Sequence, residues 1–222
     1  MASRTKNATR NIVWGIAYKV STLFLPFVVR TVMIYSLGSE YLGLSSLFTS
    51  VLNVLSLAEL GVGSAMVYAM YKPIAEKDID TVCGLMNLYR KIYRIIGVII
   101  IIVGVAIMPF LHKFISGDVP DDINIYLLFI IYLINTAGSY LLFAYQASVL
   151  NASQRNDVAS KVNMFTGIAK NVLQIVILLL LRNYYGYVLL LPITSLAANI
   201  ITAVCARKMF PEYSCRGTVE TK

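Results

Sequence analysis

Three basic residues, Lys19, Arg30 and Lys170, sit inside stretches that are otherwise apolar. A cation at bilayer depth costs at least ~2.5–3.5 kcal/mol, so it is rare unless it faces a watery cavity or an anionic partner within a bundle. Lysine offers a compact point charge, and arginine offers a planar fork that grips phosphate or carboxylate with two hydrogen bonds. The chemistry these types support is the holding of an anion, with no bond made or broken. Lys19 and Arg30 are eleven residues apart. At about 100° per residue they point within roughly 20° of each other, about 16 Å apart along one helix. Pro26 lies between them as an expected hinge, since a proline kinks a helix or loosens its backbone.

Polar residues at helical spacing accompany the cations. Asn11, Gly15, Tyr18 and Thr22 precede Pro26 on the first stretch, and Ser46, Thr49, Asn53, Ser56 and Glu59 follow on the second. Further stripes are Tyr132, Asn135, Thr136, Ser139 and Gln146, then Asn163, Thr166, Gly167 and Gln174, then Ser195, Asn199 and Thr202. Thr22, Asn53, Asn135, Gln146, Asn163 and Gln174 are the expected lining of a polar interior. The same residue types also glue membrane helices together. Glu59 is a candidate interior counter-ion or a conformational latch. It opens the run Glu59-Leu60-Gly61-Val62-Gly63, whose two glycines permit a bend or a close approach and form a second expected hinge.

No metal or cofactor site is expected. Cys83, Cys205 and Cys215 form no CxxC or other ligand spacing, and His112 is the only histidine. No glycine-rich phosphate loop, acidic metal pair or catalytic constellation is evident.

The elements that must position the cations follow from composition. Hydrophobic residues make up 58% of the chain and charged residues 14%, against roughly 25% charged in a soluble domain. A span needs about 20 mostly apolar residues. Six stretches qualify: 12–37, 42–70, 95–115, 123–149, 162–181 and 187–206. A basic arm, 1–11, precedes them and a tail, 207–222, follows. The apolar stretch after the arm is too long for a signal-peptide core and has no small-residue cleavage site.

Net charge is +8, and topology accounts for it. Fourteen lysines and arginines fall on one side of a six-span arrangement: Arg4, Lys6, Arg10, Lys72, Lys77, Arg90, Lys91, Arg94, Arg155, Lys161, Arg207, Lys208, Arg216 and Lys222. Only Lys113 and Arg182 fall on the other, which also carries Glu40, Asp118, Asp121 and Asp122. The bias predicts both termini in the cytoplasm and argues against a nucleic-acid footprint. Leu85, Leu88, Tyr89, Ile92 and Tyr93 recur at helical spacing among basic residues, which predicts an amphipathic segment along the headgroups or a plain juxtamembrane anchor. The first, second, fourth and fifth spans are expected to face a shared polar interior, and the third to face lipid.

Several stretches carry a family resemblance: Arg4 to Ile12, Leu25-Pro-Phe-Val-Val-Arg30, Leu37 to Ser50, Leu57-Ala-Glu-Leu-Gly-Val-Gly63, Met70-Tyr-Lys-Pro-Ile-Ala75 and Tyr145 to Asp157. Together they resemble the Wzx-type polysaccharide flippases, within the superfamily of multidrug, oligosaccharidyl-lipid and polysaccharide exporters. The resemblance implies an all-α integral membrane protein: a six-helix lobe of a MATE-like exporter fold, in the bacterial cytoplasmic membrane. Such exporters are built from two lobes with the cavity between them, so a second lobe or a second copy would supply the other wall. The implied activity is alternating access. A lipid-linked oligosaccharide of the undecaprenyl-diphosphate type presents its diphosphate to a cationic interior and emerges in the outer leaflet. Lys19, Arg30 and Lys170 would hold that diphosphate.

Three other readings stay open. A cation-coupled multidrug exporter of the same superfamily would favour buried carboxylates, and only Glu59 lies near a span interior. A membrane-embedded glycosyltransferase or polymerase would need a larger soluble loop than residues 72–94. A truncated lobe could associate with a complete flippase without transporting anything itself.

Overall fold

The computed structural model describes residues 2–56, 59, 61–115 and 119–213, with side chains from Asn7 onward. Arg4, Lys6, Asp118, Cys215, Arg216 and Lys222 lie outside the described residues or side chains, as do Leu57, Ala58 and Leu60. The described residues are helical, without strands: α1 (Ala2–Ser36), α2 (Ser39–Ser56), α3 (Val62–Glu76), α4 (Ile79–Ile107), the single turn α5 (Leu111–Phe114), α6 (Ile125–Leu141), the short α7 (Ala147–Ala152), α8 (Asn156–Leu180) and α9 (Tyr184–Met209).

Among the described residues, four helical segments are long and apolar enough to cross a membrane: Asn7–Ser36, Ile79–Phe114, Asn156–Leu180 and Tyr184–Met209. A fifth joins them if α6 and α7, bent by 44°, count as one span. The chain thus fits an all-helical protein of the membrane.

The observed boundaries depart from the sequence reading in three places. Residues 2–11 are not a separate arm but the first turns of α1. The stretch 42–70 is divided between α2 and α3 by Gly61, whose φ of 89° lies in the left-handed region that favours glycine. The third stretch starts well before residue 95. Asp78 caps α4 by accepting a hydrogen bond from the Thr81 amide, and the helix then runs unbroken for 29 residues, about 43 Å. Leu85, Tyr89 and Tyr93 are buried in the core, so this segment packs against neighbouring helices instead of lying flat on the headgroups.

Other helix ends are fixed by equally local chemistry. The Asn124 side chain accepts hydrogen bonds from the Tyr126 and Leu127 amides at the start of α6, and Asn183 accepts one from Gly186 at the start of α9. Each such cap contributes about 1 kcal/mol. Gly38, at φ 119°, ends α1 by donating its amide to the Ile34 carbonyl at 3.1 Å. Phe143, at φ 60°, forms the bend between α6 and α7.

α8 packs between α1 and α9, α6 lies against α4 and α9, and α3 lies against α4 and α7. The main core gathers Met33, Phe48, Met70, Met86, Phe129, Leu178 and Val188. Lipid removes the usual hydrophobic drive between helices, so close backbone approach matters more. Gly97 and Gly104 provide it on α4. A Cβ at Gly97 would stand 2.9 Å from Leu141 Cδ2, and one at Gly104 would stand 2.5 Å from Leu133 Cδ1. The opposite side of α4 exposes Ile95, Val98, Ile99, Ile102 and Val105, as a lipid-facing surface requires.

Two ends of the bundle are separately tied. At one, Arg10 meets Asp157, Leu150 packs with Ala159 and Ala206, and Cys83 Sγ reaches the Glu212 carbonyl at 3.6 Å. At the other, Tyr41 Oη donates to Asp122 at 2.6 Å, Tyr184 Oη donates to the Tyr41 carbonyl, and the Asn124 amide donates to Tyr185 Oη.

Candidate functional site

α1 and α8 carry the polar stripes that meet in two adjoining clefts. The first, about 310 Å³, is lined from α1 by Tyr18, Ser21, Thr22 and Pro26, from α6 by Asn135, from α8 by Asn163, Thr166, Lys170 and Asn171, and from α9 by Thr194, Ser195 and Asn199. The second, about 130 Å³, adds Arg30 from α1, Ser45, Ser46 and Thr49 from α2, Tyr132 from α6, Gln174 from α8 and Tyr187 from α9. Pro26, Lys170, Asn171 and Leu191 line both.

Lys170 therefore stands at the junction. It is half-buried, and no described residue pairs with its ammonium through an ion pair or hydrogen bond. Neither cleft has an aspartate or glutamate among its lining residues. Several of the local polar groups are committed to the helices that bear them. Thr22 Oγ1 donates to the Lys19 carbonyl at 2.8 Å, Thr166 Oγ1 to the Val162 carbonyl at 2.7 Å and Asn171 Nδ2 to the Gly167 carbonyl at 2.7 Å. Gln174 Nε2 crosses to the Tyr187 carbonyl at 3.3 Å, joining α8 to α9. Asn135 Oδ1 is buried without a hydrogen-bond partner, on a residue that lines the first cleft. An unpaired ammonium and a buried, unpartnered amide oxygen thus line the same cleft.

The sequence-selected residues divide accordingly. Arg30 and Lys170 line the second cleft together, and Thr22, Asn135 and Asn163 line the first. Lys19 lines neither and is exposed on α1. Asn53 is exposed on α2 and lines neither. Gln146 is buried in the turn after α6, away from both. Pro26 lies within a continuous α1, and Gly63 lies inside α3, so of the expected hinge residues only Gly61 sits at a helix break. Glu59 stands apart from the cations, where it accepts a hydrogen bond from Tyr93 Oη.

Asn171 was not selected from the sequence. Its signal was its place one turn from both Gly167 and Gln174, on the stripe that carries Lys170. Tyr187, on the first turn of α9, lines the second cleft without belonging to any of the polar stripes read from the sequence.

No family model, curated protein or solved structure matches this chain. The fold and the clefts define it at the level of class: an all-helical protein with several helices fit to cross a membrane and a cation-bearing polar cleft among them.

Proposed function

We propose that the chain is a six-helix lobe of a MATE-like flippase. It carries an anionic lipid-linked oligosaccharide from the cytoplasmic to the outer leaflet of the bacterial cytoplasmic membrane by alternating access. The observation that carries this reading is the pair of adjoining clefts, which present Arg30 and Lys170 without a carboxylate among their lining residues. A diphosphate leaving water needs fixed positive charge, and these clefts offer it beside hydroxyls and amides suited to sugar. Lysine at the junction binds without a rigid fork and so permits release.

Two further features support the reading. The bundle end tied by Arg10, Arg155 and Lys161 is basic, as a cytoplasmic end would be. Lys19, Arg30, Thr49 and Asn53 are exposed on α1 and α2, where lipid would be a costly neighbour. A second lobe or a second copy would cover that face.

The test is complementation in a flippase-deficient host. Arg30→Gln with Lys170→Gln abolishes surface polysaccharide while membrane levels of the protein hold, and Lys19→Gln alone has a smaller effect. Normal export by the double variant would sink the role of the clefts. Failure of the unaltered chain to complement alone, with rescue by a co-expressed second lobe, would identify it as one half of the transporter.

A further inference from the structure

We propose that the cleft between α3, α4 and α7 binds an organic ammonium ion. This cleft, about 730 Å³, shares no lining residue with the two cation-bearing clefts, so the inference stands independently of the transport reading. Its lining includes Glu59, Tyr68, Tyr71, Tyr89, Tyr93 and Asn151, and no lysine, arginine or histidine.

The acid is held by a relay of phenols. Tyr89 Oη donates to Tyr93 Oη at 2.7 Å, and Tyr93 Oη donates to Glu59 Oε1. The two rings are buried, with centroids 4.3 Å apart at 71°. Gly63 makes room for this relay, since a Cβ there would stand 3.0 Å from Tyr89 Oη. Tyr68 and Tyr71 form a second edge-to-face pair, 6.3 Å between centroids, and are 78% and 47% exposed. Asn151 Oδ1 is buried on the same lining without a hydrogen-bond partner.

One carboxylate, one spare amide oxygen and the exposed rings of Tyr68 and Tyr71 form a set that recognises an ammonium group. The ring faces attract a cation through their quadrupoles, and the oxygens take its charge or its N–H groups. A bare metal ion would instead need several oxygens converging at short range, and much of this lining is aromatic. The ammonium could be a free organic cation or a lipid headgroup. Tyr68 and Tyr71 lie on the half of α3 that ends beside Lys72 and Lys77, where headgroups would gather.

The full chain in uncharged maltoside micelles is titrated with choline chloride by calorimetry at constant ionic strength. The expected result is saturable binding, weakened at least about tenfold by Glu59→Gln and by Tyr71→Leu, and restored by Tyr71→Phe. The neutral isostere 3,3-dimethyl-1-butanol should bind at least about tenfold more weakly than choline. No saturable choline binding, no loss in Glu59→Gln, or equal binding of the neutral isostere overturns the proposal. Tyr71 is an exposed side chain, so its variants report on the site even where Glu59→Gln fails to fold. Repetition in phosphatidylethanolamine and phosphatidylglycerol nanodiscs separates the sources. Competition confined to the former assigns the headgroup, and equal choline affinity in both assigns a soluble cation.

Discussion

Arg10 Nε lies 2.8 Å from Asp157 Oδ2, across the start of α1 and the start of α8. Asp157 is only 1% exposed and also meets Arg155 Nε at 3.1 Å and Lys161 Nζ at 3.6 Å. Its amide donates to Asn11 Oδ1 at 2.9 Å, and Asn11 Nδ2 returns a bond to the Gln154 carbonyl at 3.1 Å. Lys161 lies 4.6 Å over the Trp14 ring, adding a contact between the same two helices. This junction fixes α1 against α8 at the end from which both run toward the clefts. Thr22 and Pro26 on one helix thereby face Asn163 and Lys170 on the other.

Asp157→Asn should therefore loosen the α1–α8 pair. The three cations keep partial access to solvent, at 26%, 30% and 36% exposure, so each can rehydrate once the carboxylate is neutral. The expected loss is about 2 kcal/mol, the scale of charge-assisted hydrogen bonds and less than a fully buried pair would cost. Thermal unfolding in micelles measures it. An unchanged midpoint would show that the junction does not hold the helices together.

Lys170→Met should act in the opposite direction on stability. The wild-type ammonium is half-buried without an anionic partner among the described residues, whereas a methionine fills similar volume without a charge to desolvate. The expected gain is about 1 kcal/mol in midpoint stability, together with at least about a tenfold loss in binding of a diphosphate-bearing lipid or of inorganic pyrophosphate. Stability and binding moving apart would mark a residue kept for a ligand. A variant that loses both would mark Lys170 as part of the packing.

The sequence made the apolar segments legible because helix length and apolar content are local properties. Four of the six stretches overlap the four helical segments long and apolar enough to cross a membrane, and the Tyr145 region falls on the bend after α6. The division of 42–70 was half legible: the two glycines were visible, but only Gly61 takes a left-handed φ while Gly63 spaces α3 from the Tyr89 hydroxyl. Helical spacing placed Lys19 and Arg30 on one face of α1 but could not tell which neighbour that face meets. Arg30 reaches the second cleft beside α2, and Lys19 lies outside both clefts. The Asp157 junction was hidden because its partners, Arg10 and Asn11, come from the far end of the chain. In sequence, Asp157 offers only its spacing to Lys161.

Two glycines in open space should respond to alanine with opposite signs. A Cβ at Gly15 or at Gly61 meets no atom within 4 Å, so sterics with neighbours do not separate them. Backbone conformation does. Gly15 lies inside α1, where alanine gains about 0.5–1 kcal/mol through helix propensity. Gly61 sits at φ 89°, where a Cβ costs about 1–2 kcal/mol. Thermal midpoints of Gly15→Ala and Gly61→Ala should lie on opposite sides of the wild type. A stabilising Gly61→Ala would mean that the α2–α3 break can be continued as helix.

Asp78 gives the α3–α4 turn a pH dependence of definite sign. The Thr81 hydroxyl donates to Oδ2 at 2.6 Å and the Thr81 amide to Oδ1 at 3.1 Å, and these bonds hold the Asp78 carboxyl below its usual range. A carboxyl with a lowered folded pKa contributes stability above its unfolded pKa of about 3.9 and loses that contribution as pH falls through the folded value. Asp78→Asn keeps an oxygen for the cap and does not titrate. The midpoint difference between wild type and Asp78→Asn should be flat from about pH 7 to about pH 5 and shrink below about pH 4. Amide exchange at Thr81 should track it, with protection falling in the wild type alone. A difference that stays constant into the acid range would mean that the carboxylate charge plays no part in starting α4.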